Sequence, residues 1–340
     1  MSDPVIQVSS LQSRWQTADP FLFCVHHIDH FPKGNDQLGP AASLAGHDIG
    51  QDFEGKDGWR MYHGETVPGF PQHPHRGFET VTIVRTGYID HSDSLGATAR
   101  FGMGDVQWLT AGAGVVHSEM FPLINPNAPN ELELFQIWLN LPGKDKLVEP
   151  HFTMFWDPDI PRLREKDSTG RDVVVTVIAG SPNGVKPLAP PPHSWAASAE
   201  SDVAIWSIAL ESGATWTVPP ARDAQTARTL HLFRGAGLKV ADRMVTGPSA
   251  VRVHADQPLS INAIDGPVEI LLLQGRPIGE PVAQHGPFVM NTRAELEQAF
   301  ADYRRTQFGG WPFPADAPVF PRDAGRFARH ADGRVEHVKV

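Results

Sequence analysis

The sequence predicts an all-β protein built as two tandem antiparallel β-sandwich (jelly-roll) barrels with a short C-terminal helix. Three observations carry that expectation. The 340 residues exceed what one ordinary core organises and suffice for two. Gly and Pro each occur 31 times, spread along the whole chain; against a usual combined share of about 12%, that excess marks many short elements joined by tight turns. Alternating, β-branched segments recur in both halves, which excludes a helical bundle.

Taken in order, Phe21-Leu22-Phe23-Cys24-Val25 reads as a strand, and residues 32 to 71, rich in Gly, Pro, Asp and Asn, read as a long loop. Glu79 to Val84 alternates and is β-branched, Gly87 turns it, and Asp93-Ser94-Leu95-Gly96 is a second turn signal. Gly104-Asp105 turns the chain again before Val106 to Leu109, and Leu132 to Leu141 closes the first series as a long apolar strand. Prolines 150, 158 and 161 and the charged run Arg162 to Asp167 predict a linker carrying turns or a short helix, and with it a domain boundary. A second series follows in Val173 to Ile178, Val203 to Ile208, Thr229 to Phe233 and Val268 to Leu273, with Pro187 to Pro192 as an extended surface loop. Thr292 and Glu295 form a capping-box pair, and Leu296, Phe300 and Tyr303 recur at helical spacing until Gly309-Gly310. The expected division is a first domain over 1–150 carrying chemistry, a second over 151–310, and an extended arm over 311–340.

Lys and Arg number 29 against 39 Asp and Glu, a net charge of −10, so no broad basic surface exists to neutralise phosphates and direct nucleic-acid binding is not expected. Neither a basic, apolar leader nor a stretch of 18 apolar residues occurs, and the reading is of a soluble, cytoplasmic protein without membrane contact. Cys24 is the only cysteine, so a metal site must use nitrogen and oxygen ligands, and Cys24 itself reads as a small core residue. Nine of sixteen histidines fall in the first 117 residues.

Among them, His73-Pro74-His75 places two imidazoles at i and i+2, which in a strand share a face. His117-Ser118-Glu119 repeats the arrangement with one imidazole and one carboxylate. Three imidazoles and a carboxylate converging from neighbouring strands would suit borderline divalent ions, Fe(II) first, then Mn, Ni, Cu or Zn, ahead of Mg or Ca. His26, His27 and His30 lack strand geometry for an ion and read as surface or rim residues. Asp90-His91-Ser92-Asp93-Ser94 holds the residue types of a hydrolytic triad but reads as a hairpin loop, because such triads assemble from separated positions.

The runs His73-Pro74-His75-Arg76-Gly77-Phe78-Glu79-Thr80-Val81, Gly104 to Gly112 and Val116-His117-Ser118-Glu119-Met120, with Gly279 to Thr292 near the other end, resemble the hallmark words of the pirin family. That resemblance implies a bicupin whose N-terminal barrel holds the metal through His73, His75, His117 and Glu119, and whose C-terminal barrel has lost its ligands. The unpaired His193, His231 and His254 agree with the second point. In cupins generally a Glu at the place of Glu79 often ligates, so Glu79 is the rival of Glu119. The family is linked to quercetin 2,3-dioxygenase activity, with O2 and a small aromatic substrate, and to regulatory roles through a protein partner. A non-catalytic metal-binding regulator is therefore the alternative to an enzyme. In the enzymatic reading Glu119 takes the enolic proton of a flavonol before ring cleavage with loss of carbon monoxide. Phe70, Phe78, Trp108, Met120 and Phe121 would wall the pocket or simply pack the core. The stretch 33–70 is longer than the family's usual approach to its first motif and would lid the barrel mouth.

Overall fold

The computed structural model describes residues 3–338, and apart from one helix and short 3-10 turns its regular structure is strand. Two compact units emerge. The first comprises the N-terminal residues through Val25, Ile137–Pro142 and Pro158–Gly279; the second comprises His26–Gln136, Gly143–Asp157 and the chain from Glu280 onward.

In the first unit a seven-stranded antiparallel sheet runs in the order Val5–Ser10, Ser249–His254, Ala227–Arg234, Val268–Gly275, Ala204–Leu210, Asp172–Ala179, Arg162–Lys166. A four-stranded sheet, Thr215–Val218, Leu259–Ile264, Gly237–Val240, Arg243–Thr246, closes the sandwich. Val175, Ile208, Leu230, Val251 and Ile270 of one sheet and Trp216, Val218, Leu238 and Ile261 of the other share a single core. Strict alternation along these strands puts every second side chain into that core. The charged run at Arg162 is a strand here and carries no helix. It hydrogen-bonds along Asp172–Ala179 at the sheet edge, where charged side chains reach water while the backbone pairs.

His231 sits in the interior of this unit, its ring stacked on Trp15 at 5.1 Å between centroids and its Nδ1–H donated to the Leu271 carbonyl at 3.0 Å. Burial lowers its pKa from 6.5 to about 4. The unfolded chain therefore takes up this proton first, so the stability that neutral His231 contributes is present above about pH 6.5 and lost as pH falls toward 4. The full shift corresponds to roughly 3 kcal/mol. His231→Leu is expected to flatten the decline of Tm across that window, and an unaltered slope would contradict the assignment.

The second unit also pairs two sheets. One runs His151–Phe155, Val106–Thr110, Phe78–Thr86, residues 130–136 and residues 26–31; the other runs Val335–His337, Phe327–Arg329, Thr98–Gly102, Tyr88–Asp93, Val115–Met120, Gly69–His75. Val84, Phe101, Leu109, Val115, Leu134 and Phe152 fill the space between them. Cys24 is fully buried. Asp90 to Asp93 is buried and belongs to the strand Tyr88–Asp93, not to the loop its composition suggests. The turn begins only where Asp93 Oδ1 accepts the Leu95 and Ala97 amides. The terminal arm is likewise more than a surface strap, because Phe327–Arg329 pairs with Thr98–Gly102 and so adds strands to the sheet that carries the histidines.

The helix Arg293–Thr306 starts at Thr292 with both capping-box bonds made: the Thr292 side chain accepts from the Glu295 amide, and the Glu295 side chain accepts from the Thr292 amide. Leu296, Ala299, Phe300 and Tyr303 pack on Phe288 and Met290 of the preceding hairpin. Among the described residues no helix is long and apolar enough to cross a membrane.

Candidate metal centre

Strand register assembles the centre. In the Gly69–His75, Val115–Met120, Tyr88–Asp93 part of the sheet, His73 lies opposite His117, which lies opposite Asp93, and Phe70 lies opposite Glu119, which lies opposite His91. Residues paired across strands share a face, as do residues two apart, so His73, His75, His117, Glu119, His91 and Asp93 occupy one face. Gly69 opens the first of these strands at φ +133°, and a Cβ there would lie 2.5 Å from the Glu119 carbonyl oxygen. Only glycine lets the two strands approach that closely.

His73, His75 and His117 each offer a nitrogen within 4.8 Å of the others, the one such convergence of three or more potential ligands among the described residues. His73 Nδ1–H is donated to the Pro71 carbonyl at 2.8 Å, which leaves Nε2 as the lone-pair nitrogen. Neither ring nitrogen of fully buried His117 has a hydrogen-bond partner. Such an orphaned buried imidazole fits a metal ligand, because an ion would replace the missing partner. Burial lowers the pKa of His73 to about 4 and that of His75 and His117 well below the ordinary value, with mutual repulsion among the rings adding to it. All three are neutral at pH 7 and present lone pairs, as divalent transition metals require.

The Glu119 carboxylate stands beside this triad, Oε2 3.7 Å from His117 Nε2, and both its oxygens accept from the Gln136 amide at 3.2 and 2.9 Å. Burial raises its pKa above the usual carboxylate range, while His91 and Gln136 pull it back. The rival carboxylate, Glu79, is fully buried and accepts from Thr110 Oγ1 at 2.7 Å; neither it nor Glu119 belongs to the set of three that converges within 4.8 Å.

The other sequence-level candidates divide. His26, His27 and His30 do lie on a strand, Phe21–Phe31, contrary to the expectation, but His26 pairs with Glu133 at 3.0 Å, His27 Nδ1 meets the Tyr62 hydroxyl at 2.8 Å, and His30 pairs with Glu131, so the three face separate partners. Phe70 is partly exposed with its ring centroid 6.2 Å from that of His73, and the Phe78 and His75 rings meet at a steep angle with centroids 5.1 Å apart. Trp108 and Met120 are fully buried, and Phe121 packs against Tyr62 and Phe70. A cleft of about 370 Å³ lined by Phe31, Tyr88, Met103, Phe121 and Leu132 also opens on this unit, but none of the three histidines lines it.

Composition concealed His91 and Asp93. His91 is fully buried, its ring 5.5 Å from that of His117 and its Nε2 3.1 Å from Asp93 Oδ2. Their H-x-D spacing is the same i, i+2 signal as the other two pairs, masked by the turn residues that follow.

Residues 6–139 match the family described as Pirin, and residues 205–309 match the one described as Pirin C-terminal cupin domain. A pirin-like protein of Caulobacter vibrioides is 37% identical over 240 residues, covering 71% of this chain and 80% of that protein. A pirin-like protein of Solanum lycopersicum is 36% identical over 239 residues, covering 69% and 75%. Among solved structures, quercetin 2,3-dioxygenase of Acinetobacter baumannii superposes with a TM-score of 0.70 at 26% identity, over 90% of this chain and 98% of that one. Both domain matches, in order and on two strand-built units, together with relatives more than one third identical, make this chain a member of the pirin family, with the bicupin fold.

Proposed function

We propose that the protein is a metal-dependent dioxygenase that cleaves quercetin or a related enolic aromatic with O2, using Fe(II). The observation that carries this reading is the convergence of three neutral imidazoles beside a buried carboxylate, in a chain similar to a quercetin 2,3-dioxygenase along nearly its whole length. His73, His75 and His117 would hold the ion, with Glu119 as the fourth ligand. The ion, when bound, would supply Lewis-acid polarisation of the flavonol's enolic oxygen and reactivity toward O2.

The chain's own part is proton handling and orientation. A flavonol must lose its enolic proton, and a carboxylate in low dielectric whose pKa is raised by burial is a better acceptor than one in water. The Gln136 side-chain amide donates to both Glu119 oxygens and so holds the orientation of the carboxylate. The burial of His75 and His117 excludes water from the inner side of the centre, while partly exposed His73, Phe70 and Gln72 mark the open side.

The test is anaerobic reconstitution of metal-free protein with Fe(II), followed by oxygen uptake and loss of quercetin absorbance. Turnover is expected to require the metal, to release carbon monoxide and to fall about 10²-fold or more in Glu119→Gln, the scale of a lost general base. Tight metal binding without turnover on a flavonol panel would overturn the enzymatic reading in favour of a regulatory metal protein.

A further inference from the structure

The stretch between the strands Phe21–Phe31 and Gly69–His75 folds back on the start of the histidine strand. The His63 amide donates to the Gly69 carbonyl at 3.0 Å, and the Gly69 amide donates to the Met61 carbonyl at 3.1 Å. Between them Tyr62 adopts φ +58°, a left-handed conformation that aromatic residues rarely take. It is held by a dense set of bonds. The Tyr62 hydroxyl donates to Asp29 Oδ2 at 2.6 Å, Arg60 Nη1 reaches Asp29 Oδ1 at 3.1 Å, and the Tyr62 backbone exchanges hydrogen bonds with Asp52 at 3.0 and 2.8 Å. A strained residue fixed by so many partners is a mark of positional purpose.

The consequence of that turn is that Tyr62 goes inward, 1% exposed, while the His63 ring goes to the partly exposed side. There it meets Phe53 edge-on at 5.1 Å and Phe70 at 5.7 Å, and Phe70 in turn lies 6.2 Å from His73. Phe53 is 46% exposed, so this end of the aromatic group faces solvent. The result is a file of rings, Phe53, His63, Phe70, His73, leading from solvent to the imidazole triad.

His63 is the one member of this file outside the triad that can form a directional bond. Its Nδ1 lies 2.7 Å from the Gly50 carbonyl, which only accepts, so Nδ1 carries the hydrogen and the neutral ring keeps Nε2 as an acceptor. Phenylalanine faces take any flat ring, whereas an acceptor between them selects a ring that carries a hydroxyl.

We propose that His63 is a specificity-determining residue that accepts a hydrogen bond from a phenolic hydroxyl on the substrate ring farthest from the metal, with Phe53 and Phe70 packing against that ring. The inference rests on the aromatic-substrate reading above and adds which end of the substrate is recognised and by what.

The test is anaerobic binding to the Fe(II)-loaded protein, followed by ligand fluorescence, with quercetin and with galangin, the same flavonol without hydroxyls on its pendant ring. Wild type is expected to favour quercetin about tenfold, the scale of one partly exposed hydrogen bond. His63→Phe, which keeps the ring and removes the acceptor, is expected to bring the two affinities together by weakening quercetin alone. His63→Gln, which restores an acceptor, is expected to recover part of the preference, and Phe53→Ala to weaken both ligands alike. Metal content equal to wild type shows that the variants keep the centre. An unchanged preference in His63→Phe, an equal loss for both ligands, or a wild type that binds neither flavonol or does not distinguish them would overturn the proposal. Because no oxygen is present, the outcome does not depend on turnover. Discrimination without catalysis would sink the dioxygenase reading and leave this one standing, and catalysis without discrimination would do the reverse.

Discussion

His117→Ala is expected to strip the protein of its metal. The His117 ring is fully buried, neither of its nitrogens has a hydrogen-bond partner, and it stands between His73 on one strand and Asp93 on the other. Its removal leaves two imidazoles, both on one strand, and no donor from the opposite one except Glu119. Loss of a mere supporting hydrogen bond at a metal site costs about 10–100-fold in affinity, and loss of a ligand is expected to exceed that range. Metal content after dialysis reads the effect directly, with His75→Ala expected to behave alike. His193, exposed in the other unit, serves as the control, and His193→Ala is expected to retain full metal. Equal loss in all three variants would refute the assignment of the centre. Because burial, with repulsion among the neighbouring rings, keeps these imidazoles neutral, the fall in metal binding with acid is set by competition from protons at the ligands, and stronger retention by His117→Ala at low pH would contradict it.

The second large effect lies behind the centre. Arg100 is 1% exposed and grips Asp90 through two bonds of 2.7 Å, then extends to the carbonyls of Pro321 at 2.7 Å and Phe320 at 2.8 Å. Asp90 returns the contact by accepting the Phe320 amide at 2.8 Å. This buried pair therefore ties the terminal arm to the strand that carries His91. Arg100→Met leaves the Asp90 charge buried without its partner, an arrangement that typically costs about 3–5 kcal/mol. Denaturant unfolding is expected to show a loss of that size, with faster proteolysis of the arm. Replacing both residues with Asp90→Leu and Arg100→Met is expected to recover a substantial part, because no stranded charge remains. A double variant as unstable as the single would show that the pair contributes through shape alone.

Much of the fold was legible because its signals are local. Strand alternation, glycine turns and the Thr292 to Glu295 capping box each depend on a few neighbouring residues, and each appears at its place. The spacing of His73 to His75 and of His117 to Glu119 was legible for the same reason: two residues apart on a strand means one face. Less legible were elements whose identity depends on distant partners. The charged segment at Arg162 becomes a strand only because Asp172–Ala179 supplies a backbone to pair with. His91 and Asp93, rated as a loop by their turn-forming neighbours, become barrel interior because Val115–Met120 lies alongside them.

The sequence by itself determined the all-β class, the two strand-rich series, the capped helix and the pairs of ligand-type residues, since each is encoded in period or spacing. The tertiary structure alone decided that His73, His75 and His117 meet within 4.8 Å while Glu79 turns to Thr110. It alone also decided that Val5–Ser10 pairs with Ser249–His254, that the terminal arm joins the histidine sheet, and that Tyr62 turns His63 outward beside Phe53. The physical reason is register. Which residues face each other across strands far apart in the chain depends on the summed burial of whole faces and on where chain reversals fall, and no local pattern contains that sum.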